Sequence, residues 1–194
     1  MRRTVESITI LGLFSAIIAL MAFIPQFGFI QIGFIALTII HLPVLIGGYL
    51  GGKKVAIGLG VAFGLASFSQ ALIRPVTPVD LLFQNPLISV LPRFLFGVVL
   101  ATLTLKLKPF KSDYINIPLV FALSTFAHTV FVLGSFYVFS PLFNPLAEFT
   151  DSVGGFLPFL WGVLLANGLF EIAAALLLAA PIAVRVKDAL RLGE

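Results

Sequence analysis

Cysteine is absent from the 194-residue sequence, and charged residues make up only 10% of it. Without thiols the chain can form no disulfide, no thiolate metal site and no cysteine nucleophile. Tryptophan occurs once and tyrosine three times, whereas phenylalanine occurs 21 times, so the aromatic residues indicate apolar bulk more than an interfacial belt. The shortage of charge excludes an ordinary soluble domain, in which about a quarter of the residues are charged.

Hydrophobic residues make up 60% of the sequence, and its mean hydropathy is +1.15. Apolar runs long enough to cross a bilayer, which takes roughly 20 residues each, lie at about 8–25, 29–50, 55–74, 86–106, 115–139 and 155–184. We therefore predict an all-α integral membrane protein, with residues 1–194 as a single domain of six transmembrane helices. The first run has no Ala-x-Ala pattern after it and is predicted to be a span, not a cleaved signal peptide.

The basic residues predict the orientation of the chain. Ten of the twelve lysines and arginines lie at the two termini or in the second and fourth loops: Arg2, Arg3, Lys53, Lys54, Lys106, Lys108, Lys111, Arg185, Lys187 and Arg191. With an even number of spans these segments share one side, which the positive-inside rule makes cytoplasmic. The net charge of +4 is then explained by topology, and no nucleic-acid partner is predicted.

Arg93 is an ionisable residue inside the fourth apolar run, where a charge needs a partner or a water-filled cavity. Asn85, Ser89 and Arg93 are spaced by four and would share one helix face. Pro92 cannot donate a hydrogen bond to the carbonyl of Ile88, which predicts an unpaired acceptor and a bend.

Two interpretations of Arg93 stay open. Its guanidinium is suited to grip the carboxylate of a ligand. Alternatively it snorkels outward or forms an internal pair with Glu171, which is common for such residues.

Other buried polar residues follow helical spacing on several spans: Gln31, Thr38 and His41; Ser67, Gln70 and Arg74; Ser124 and His128; and Asn167 and Glu171. They should face the bundle interior because lipid cannot satisfy them, although a single polar residue is more often a contact between helices than a ligand contact. Residues of the outer half are the better candidates for substrate binding, namely Gln84, Asn85, Arg93, His128, Trp161 and Asn167. Trp161 is suited either to stack on a ligand or to anchor at the interface.

Several kinds of chemistry find little support. His41, His128 and Glu171 lie on different helices without local ligand spacing, so no metal site is predicted. The segment 47–54 contains G-x-x-x-x-G-K, but Lys54 stands where a phosphate-binding loop needs serine or threonine, and the segment ends a membrane helix. Neither paired carboxylates nor a hydrolase motif is present, so an intramembrane enzyme is poorly supported.

Small residues spaced by four form surfaces on which another helix can approach closely. The pairs are Gly12 with Ala16 and Ser15 with Ala19 on the first span, and Gly60 with Gly64 on the third. For the third span we predict packing within the chain.

The chain resembles the S components of energy-coupling factor (ECF) vitamin transporters over nearly its whole length. The resemblance lies in the six predicted spans, the small residues of the first span, and the stretches 38–47, 63–68 and 89–93, which look most like the pantothenate-type members. It implies a substrate-capturing subunit in the cell membrane of a prokaryote, without cofactor or ATPase activity of its own. The implied partners are a transmembrane coupling subunit (the T component) and two cytoplasmic ATPases that bind ATP and magnesium. Gly12, Ser15, Ala16 and Ala19 would form the coupling surface.

The resemblance also implies a vitamin bound in a cavity that opens outward. For pantothenate, Arg93 would neutralise the carboxylate while Asn85, Asn167 and His128 take the hydroxyls and the amide. Pyridoxine or hydroxymethylpyrimidine would need stacking by Trp161 or by phenylalanines instead. A stand-alone carrier or channel is the alternative of another class, followed by an intramembrane enzyme or scaffold.

Overall fold

The computed structural model describes residues 2–24, 28–32, 35–75, 79–139 and 155–192. Its helices are α1 Arg2–Phe23, α2 His41–Gly51, α3 Lys53–Ile73, α4 Asp80–Phe83, α5 Pro86–Ser89, α6 Leu91–Lys106, α7 Asp113–Phe139, α8 Phe156–Val163, α9 Leu169–Ala174 and α10 Ala180–Leu192. Two π-helical segments, Leu164–Gly168 and Ala175–Ala179, join α8 to α9 and α9 to α10. The last three helices therefore continue one another without a break.

Five helical stretches within the described residues are long and apolar enough to cross a membrane: Val5–Phe23, Lys53–Ile73, Pro86–Lys106, Asp113–Phe139 and Trp161–Leu190. Five of the six predicted spans coincide with these stretches. The largely helical membrane architecture is therefore confirmed, whereas the number of six spans and the side on which the termini lie stay predictions.

The predicted second span, 29–50, is corrected by the structure. Strands β1 Phe29–Ile32 and β2 Ile35–Thr38 pair antiparallel, with Phe29 opposite Thr38. The helix α2 begins only at His41 and has 11 residues, so it is about 16 Å long. The four residues of β2 add about 13 Å. Strand and helix together thus have about the length of one span, and His41, the first helical residue, is fully buried.

The helices α3 and α6 approach each other closely because glycines line their contact. A Cβ atom at Gly60 would lie 2.5 Å from the carbonyl oxygen of Arg93, and one at Gly64 would lie 2.8 Å from Cα of Val90. On the facing helix, a Cβ atom at Gly97 would meet the carbonyl oxygen of Ala56 at 2.6 Å. The prediction that Gly60 and Gly64 serve packing within the chain is confirmed.

The helix α1 lies at the periphery of the bundle. Only 11% of its most apolar window is buried, against 33–50% for the other four candidate spans. Gly12 and Ala16 are exposed, whereas Ser15 and Ala19 are half-buried. Of the two small-residue pairs, the first is therefore the more exposed among the described residues.

The chain turns between α2 and α3 at Gly52, which has a φ of +81°, a conformation that glycine adopts readily. The segment 47–54 thus joins two helices and does not follow a strand, so the structure, too, argues against a phosphate-binding loop there. Close to the same end of the bundle, the Lys187 ammonium lies 2.9 Å from the Asp113 carboxylate and donates to the Tyr49 hydroxyl at 3.0 Å. These contacts connect α10, α7 and α2.

The buried side chains form two apolar clusters. The larger one joins α1, α2, α3, α6, the first half of α7 and the Ala175–Val184 region. The smaller one consists of Leu82, Ile88, Leu133, Phe136 and Val163. A layer of buried polar residues on α2, α6, α7 and α9 lies along these clusters, and it includes Arg93.

Candidate ligand-binding site

A cavity of about 610 Å³, including the part open at its mouth, lies beside the smaller apolar cluster. Its polar lining residues are Thr38, Asp80, Arg93, His128, Thr129, Asn167 and Glu171. Its apolar lining residues are Val79, Phe83, Val132, Leu133, Phe136 and Val163. A mostly apolar wall with a few convergent polar groups is typical of small-molecule sites.

Arg93 is 3% exposed and reaches the cavity from the first turn of α6. Its Nη1 donates to the carbonyl oxygen of Ile88 at 2.9 Å, which is the acceptor that Pro92 leaves unpaired. The guanidinium carbon lies 4.4 Å from the centre of the Phe83 ring and 5.4 Å from that of Phe63. The positive charge is thus held by a carbonyl dipole and two aromatic faces.

The internal pair between Arg93 and Glu171 does not form. Within the described part of the chain, no ion pair joins the guanidinium to any carboxylate, and Glu171 contacts other groups. A buried guanidinium without a carboxylate partner is expensive unless an anion completes it. The geometry therefore favours the first of the two interpretations of Arg93.

Glu171 is 6% exposed and lies on α9 between the two π-helical segments. Its Oε2 accepts a hydrogen bond from the Thr129 hydroxyl at 3.2 Å and lies 3.8 Å from Nδ1 of His128. The backbone carbonyl of Glu171 lies 3.2 Å from Nε2 of His41, whose Nδ1 is 2.8 Å from the carbonyl oxygen of Thr38. These bonds hold the end of the β-hairpin, α2, α7 and α9 together around the cavity.

His128 is held by ring contacts. Its ring centre is 5.0 Å from that of Phe96 and 5.5 Å from that of Phe63, and it stacks on His41 at 6.3 Å. Both ring nitrogens are buried without a hydrogen bond to the described residues. Because buried polar atoms in native proteins are nearly always satisfied by protein, water or ligand, His128 is available to a bound molecule.

The structure brings three of the six predicted binding residues to the cavity, namely Arg93, His128 and Asn167. Gln84 instead donates to the carbonyl of Ala71 at 3.0 Å, and the side chain of Asn85 caps α5 by accepting from the amide of Leu87 at 2.9 Å. Neither Gln84 nor Asn85 lines the cavity.

The predicted polar stripe of Asn85, Ser89 and Arg93 is corrected in the same way. The Ser89 hydroxyl donates to the carbonyl oxygen of Asn85 at 3.0 Å, and the helix is interrupted at Val90. The two side chains are therefore used within α5, and only Arg93 reaches the cavity.

Trp161 also lies outside the cavity. It is 62% exposed on α8 and borders a shallow apolar depression with Tyr137 and Leu157. Of the two interpretations of this residue, the structure favours contact with the membrane interface over ligand stacking.

Glu171 and His41 ranked below the outer residues in the sequence, yet Glu171 lines the cavity and His41 contacts its backbone carbonyl from outside the lining. Thr129, Phe83 and Phe136 were missed altogether. A usable signal existed on α7, because residues 125, 128, 129, 132, 133 and 136 follow one helix face. No such signal indicated that Asp80 and Phe83 line the cavity, since their position depends on how the segment after α3 folds back.

Metal binding finds no support in the described residues, where no group of three histidine, aspartate or glutamate side chains is placed to hold an ion. His41 and His128 stack ring on ring, and their nitrogens do not converge on one point with Glu171.

Comparison with known proteins identifies two similarities. The family described as "ECF transporter, substrate-specific component" matches residues 6–183. Over 91 residues the chain is 35% identical to the pantothenate transporter PanT of Leuconostoc mesenteroides subsp. mesenteroides, and the aligned segment covers 45% of each protein. The chain thus spans about half the length of the curated relative that it matches.

Proposed function

Because the chain belongs to the family of ECF transporter substrate-specific (S) components, we propose that it captures a water-soluble vitamin in the cavity around Arg93 and that this vitamin is pantothenate. The observation that carries the choice of ligand is the buried Arg93 guanidinium, which lines the cavity without a described carboxylate partner. Pantothenate supplies the missing anion. Similarity to a pantothenate transporter over part of the chain supports the same choice.

The remaining lining suits the rest of the pantothenate molecule. Its hydroxyls and amide match the polar side chains of His128, Thr129 and Asn167. Its two methyl groups match the apolar wall formed by Val132 and Leu133. Pyridoxine and hydroxymethylpyrimidine carry no carboxylate and would leave Arg93 unmatched.

The cavity opens towards the outer face in this proposal. It lies beside residues that adjoin the predicted outer loops, such as Val79, Phe136 and Val163, whereas the lysine-rich turns lie at the other ends of the same helices. Both termini are then cytoplasmic, in the cell membrane of a prokaryote. This arrangement allows capture on one side and release on the other.

Release requires partners in this proposal. A transmembrane coupling subunit binds the exposed Gly12 and Ala16 of α1, and two cytoplasmic ATPases bind ATP and magnesium and supply the energy. The chain itself needs no cofactor. The peripheral position of α1 and the small size of its exposed residues support this assignment.

The test is isothermal titration calorimetry of the purified protein with pantothenate, pyridoxine and hydroxymethylpyrimidine. We expect binding of pantothenate at least about tenfold tighter than that of either neutral vitamin, which corresponds to one charge-assisted interaction. Tighter binding of a neutral vitamin would overturn the assignment of pantothenate. If co-expression with an ECF ATPase module gave neither a complex nor ATP-dependent uptake, the transport mechanism itself would be wrong.

A further inference from the structure

We infer that Glu171 is a specificity-determining residue that accepts a hydrogen bond from a hydroxyl group of the ligand, so that the site selects hydroxylated monocarboxylates. The inference rests on the proposed function, since it assumes that the ligand occupies the cavity beside Arg93. It assigns to Glu171 a direct contact with the ligand in place of an internal pair with Arg93.

The two oxygens of the Glu171 carboxylate have different surroundings. Thr129 and His128 both contact Oε2. Within the described residues, both of these contacts to the carboxylate leave Oε1 aside, and Glu171 lines the cavity. One oxygen is thus fixed by the protein, and the other is the acceptor that a ligand can reach.

Arg93 is arranged in a corresponding way. Its Nη1 is fixed by the carbonyl of Ile88, and the side chain lines the same cavity. Arg93 and Glu171 are therefore an anchored cation and an anchored anion that line one cavity without forming an ion pair with each other. A ligand that matches both must present an anionic group to Arg93 and a hydrogen-bond donor to Glu171.

A hydroxyl fits the donor position better than an ammonium group does. A carboxylate only accepts hydrogen bonds, and a single O–H donor satisfies the Oε1 that Thr129 and His128 leave aside. An ammonium group carries three donors and a full positive charge, which the Arg93 guanidinium in the same cavity would repel. A second carboxylate on the ligand would be repelled by Glu171, so dicarboxylates are excluded.

Calorimetry with two ligands tests the inference on the full-length protein in detergent or nanodiscs. The ligands are pantothenate and dideoxypantothenate, in which hydrogen replaces both hydroxyl groups while the carboxylate, the amide and the methyl groups stay. We expect the wild-type protein to bind pantothenate at least about tenfold tighter, as expected for a hydrogen bond to a charged acceptor. The ratio should fall in Glu171→Gln and approach one in Glu171→Met, which removes the acceptor at similar volume.

The second ligand also reports on the fold of each variant. The affinity of both Glu171 variants for dideoxypantothenate should stay within about threefold of the wild-type value, because this ligand has no hydroxyl to lose a bond to Glu171. The loss of one charge-assisted hydrogen bond would change the affinity by more than that factor. The matched control is Asp188→Asn, which alters a carboxylate that accepts from the Tyr114 hydroxyl and does not line the cavity; its ratio should equal that of the wild type.

The possible outcomes separate this inference from the proposed function. If the wild-type protein binds both ligands equally, or if folded Glu171→Met keeps the full ratio, Glu171 does not read the hydroxyl and only this inference fails. If the wild-type protein binds neither ligand, the assignment of pantothenate fails, and the inference fails with it. Should both variants fail to fold, a wild-type ratio near one would still contradict the hydroxyl contact.

Discussion

Pro92 and Arg93 are neighbours in sequence, and the amide that Pro92 lacks explains where the Arg93 side chain is held. Proline removes the amide that would pair with the carbonyl of Ile88, and the guanidinium of the next residue takes that carbonyl at 2.9 Å. The backbone acceptor is satisfied, and the long side chain is fixed in one direction before a ligand arrives. Preorganisation of this kind reduces the ordering that binding must impose.

Pro92→Ala tests this arrangement. The new amide at residue 92 competes with Arg93 for the Ile88 carbonyl, so the guanidinium loses its anchor while the helix gains a hydrogen bond. We expect pantothenate affinity to fall by about fivefold, equivalent to about 1 kcal/mol, and the thermal midpoint to stay the same or rise. Titration calorimetry and a thermal unfolding scan measure the two effects.

The matched control for that substitution is Pro86→Ala. Pro86 is in the first turn of α5, where its missing amide has no partner to lose. An affinity unchanged in Pro92→Ala, or lowered equally in Pro86→Ala, would show that the Ile88 carbonyl does not position Arg93.

For single residues, the sequence predicted the chemical character of the site better than it predicted the contacts of the side chains. Arg93 and the freed carbonyl of Ile88 were both predicted, because a charge in an apolar run and a proline in a helix have unambiguous consequences. The use of Asn85 as a helix cap was not, because helical spacing assumes an uninterrupted helix. Glu171 ranked too low since a sequence does not show how deep a cavity reaches.

The elements around the site differ most from expectation at the second predicted span. Ile30, Ile32 and Ile35 are β-branched and suit a strand, yet a short apolar run does not distinguish a strand from a buried helix by its periodicity. The resulting β-hairpin places Thr38 at the cavity and lets α2 begin in the bundle interior at His41. Long spans were predicted correctly because about 20 apolar residues leave few alternatives in a membrane.

The contact between α3 and α6 gives a prediction for a whole element. In Gly60→Ala, the added methyl group would meet the carbonyl oxygen of Arg93 at 2.5 Å, so α6 must shift together with Arg93. We expect a loss of about 1–3 kcal/mol in the free energy of unfolding and weaker binding of pantothenate, measured by thermal unfolding and by calorimetry.

Gly134→Ala is the control for the backbone effect of the same substitution. Gly134 lies within α7, and a Cβ atom there would meet nothing within 4 Å. Alanine is the better helix former, so this variant should be as stable as the wild type or more stable. Equal stability of the two variants would contradict a close helix contact at Gly60.

In the whole molecule, the apolar surface of α1 needs a covering that the described part of the chain does not provide. The S-component family implies that a partner shares this task with lipid. Sequence alone proposed two small-residue pairs for the contact, and it could not choose between them because the choice depends on how α1 is rotated against α2 and α3. The exposure of Gly12 and Ala16 supports our proposal that this pair makes the contact.

Ala16→Leu should therefore separate assembly from substrate capture. The larger side chain keeps the exposed position apolar but prevents close approach of a second helix. We expect the variant to bind pantothenate like the wild type and to lose most of its co-purification with the coupling subunit and the ATPases. Ala173→Leu, at an exposed alanine of α9, should retain the complex. A complex retained in Ala16→Leu would place the coupling surface elsewhere.

The proposed function depends above all on the binding of the vitamin carboxylate by Arg93. Calorimetry of the wild-type protein and of Arg93→Gln tests it with pantothenate and with the corresponding alcohol, in which CH₂OH replaces the carboxylate; Arg74→Gln, at an exposed arginine after α3, is the control. We expect wild type and control to bind pantothenate at least about tenfold tighter than the alcohol, and Arg93→Gln to lose this preference while its affinity for the alcohol stays unchanged. A preference for pantothenate that persists in folded Arg93→Gln would contradict binding of the carboxylate by Arg93.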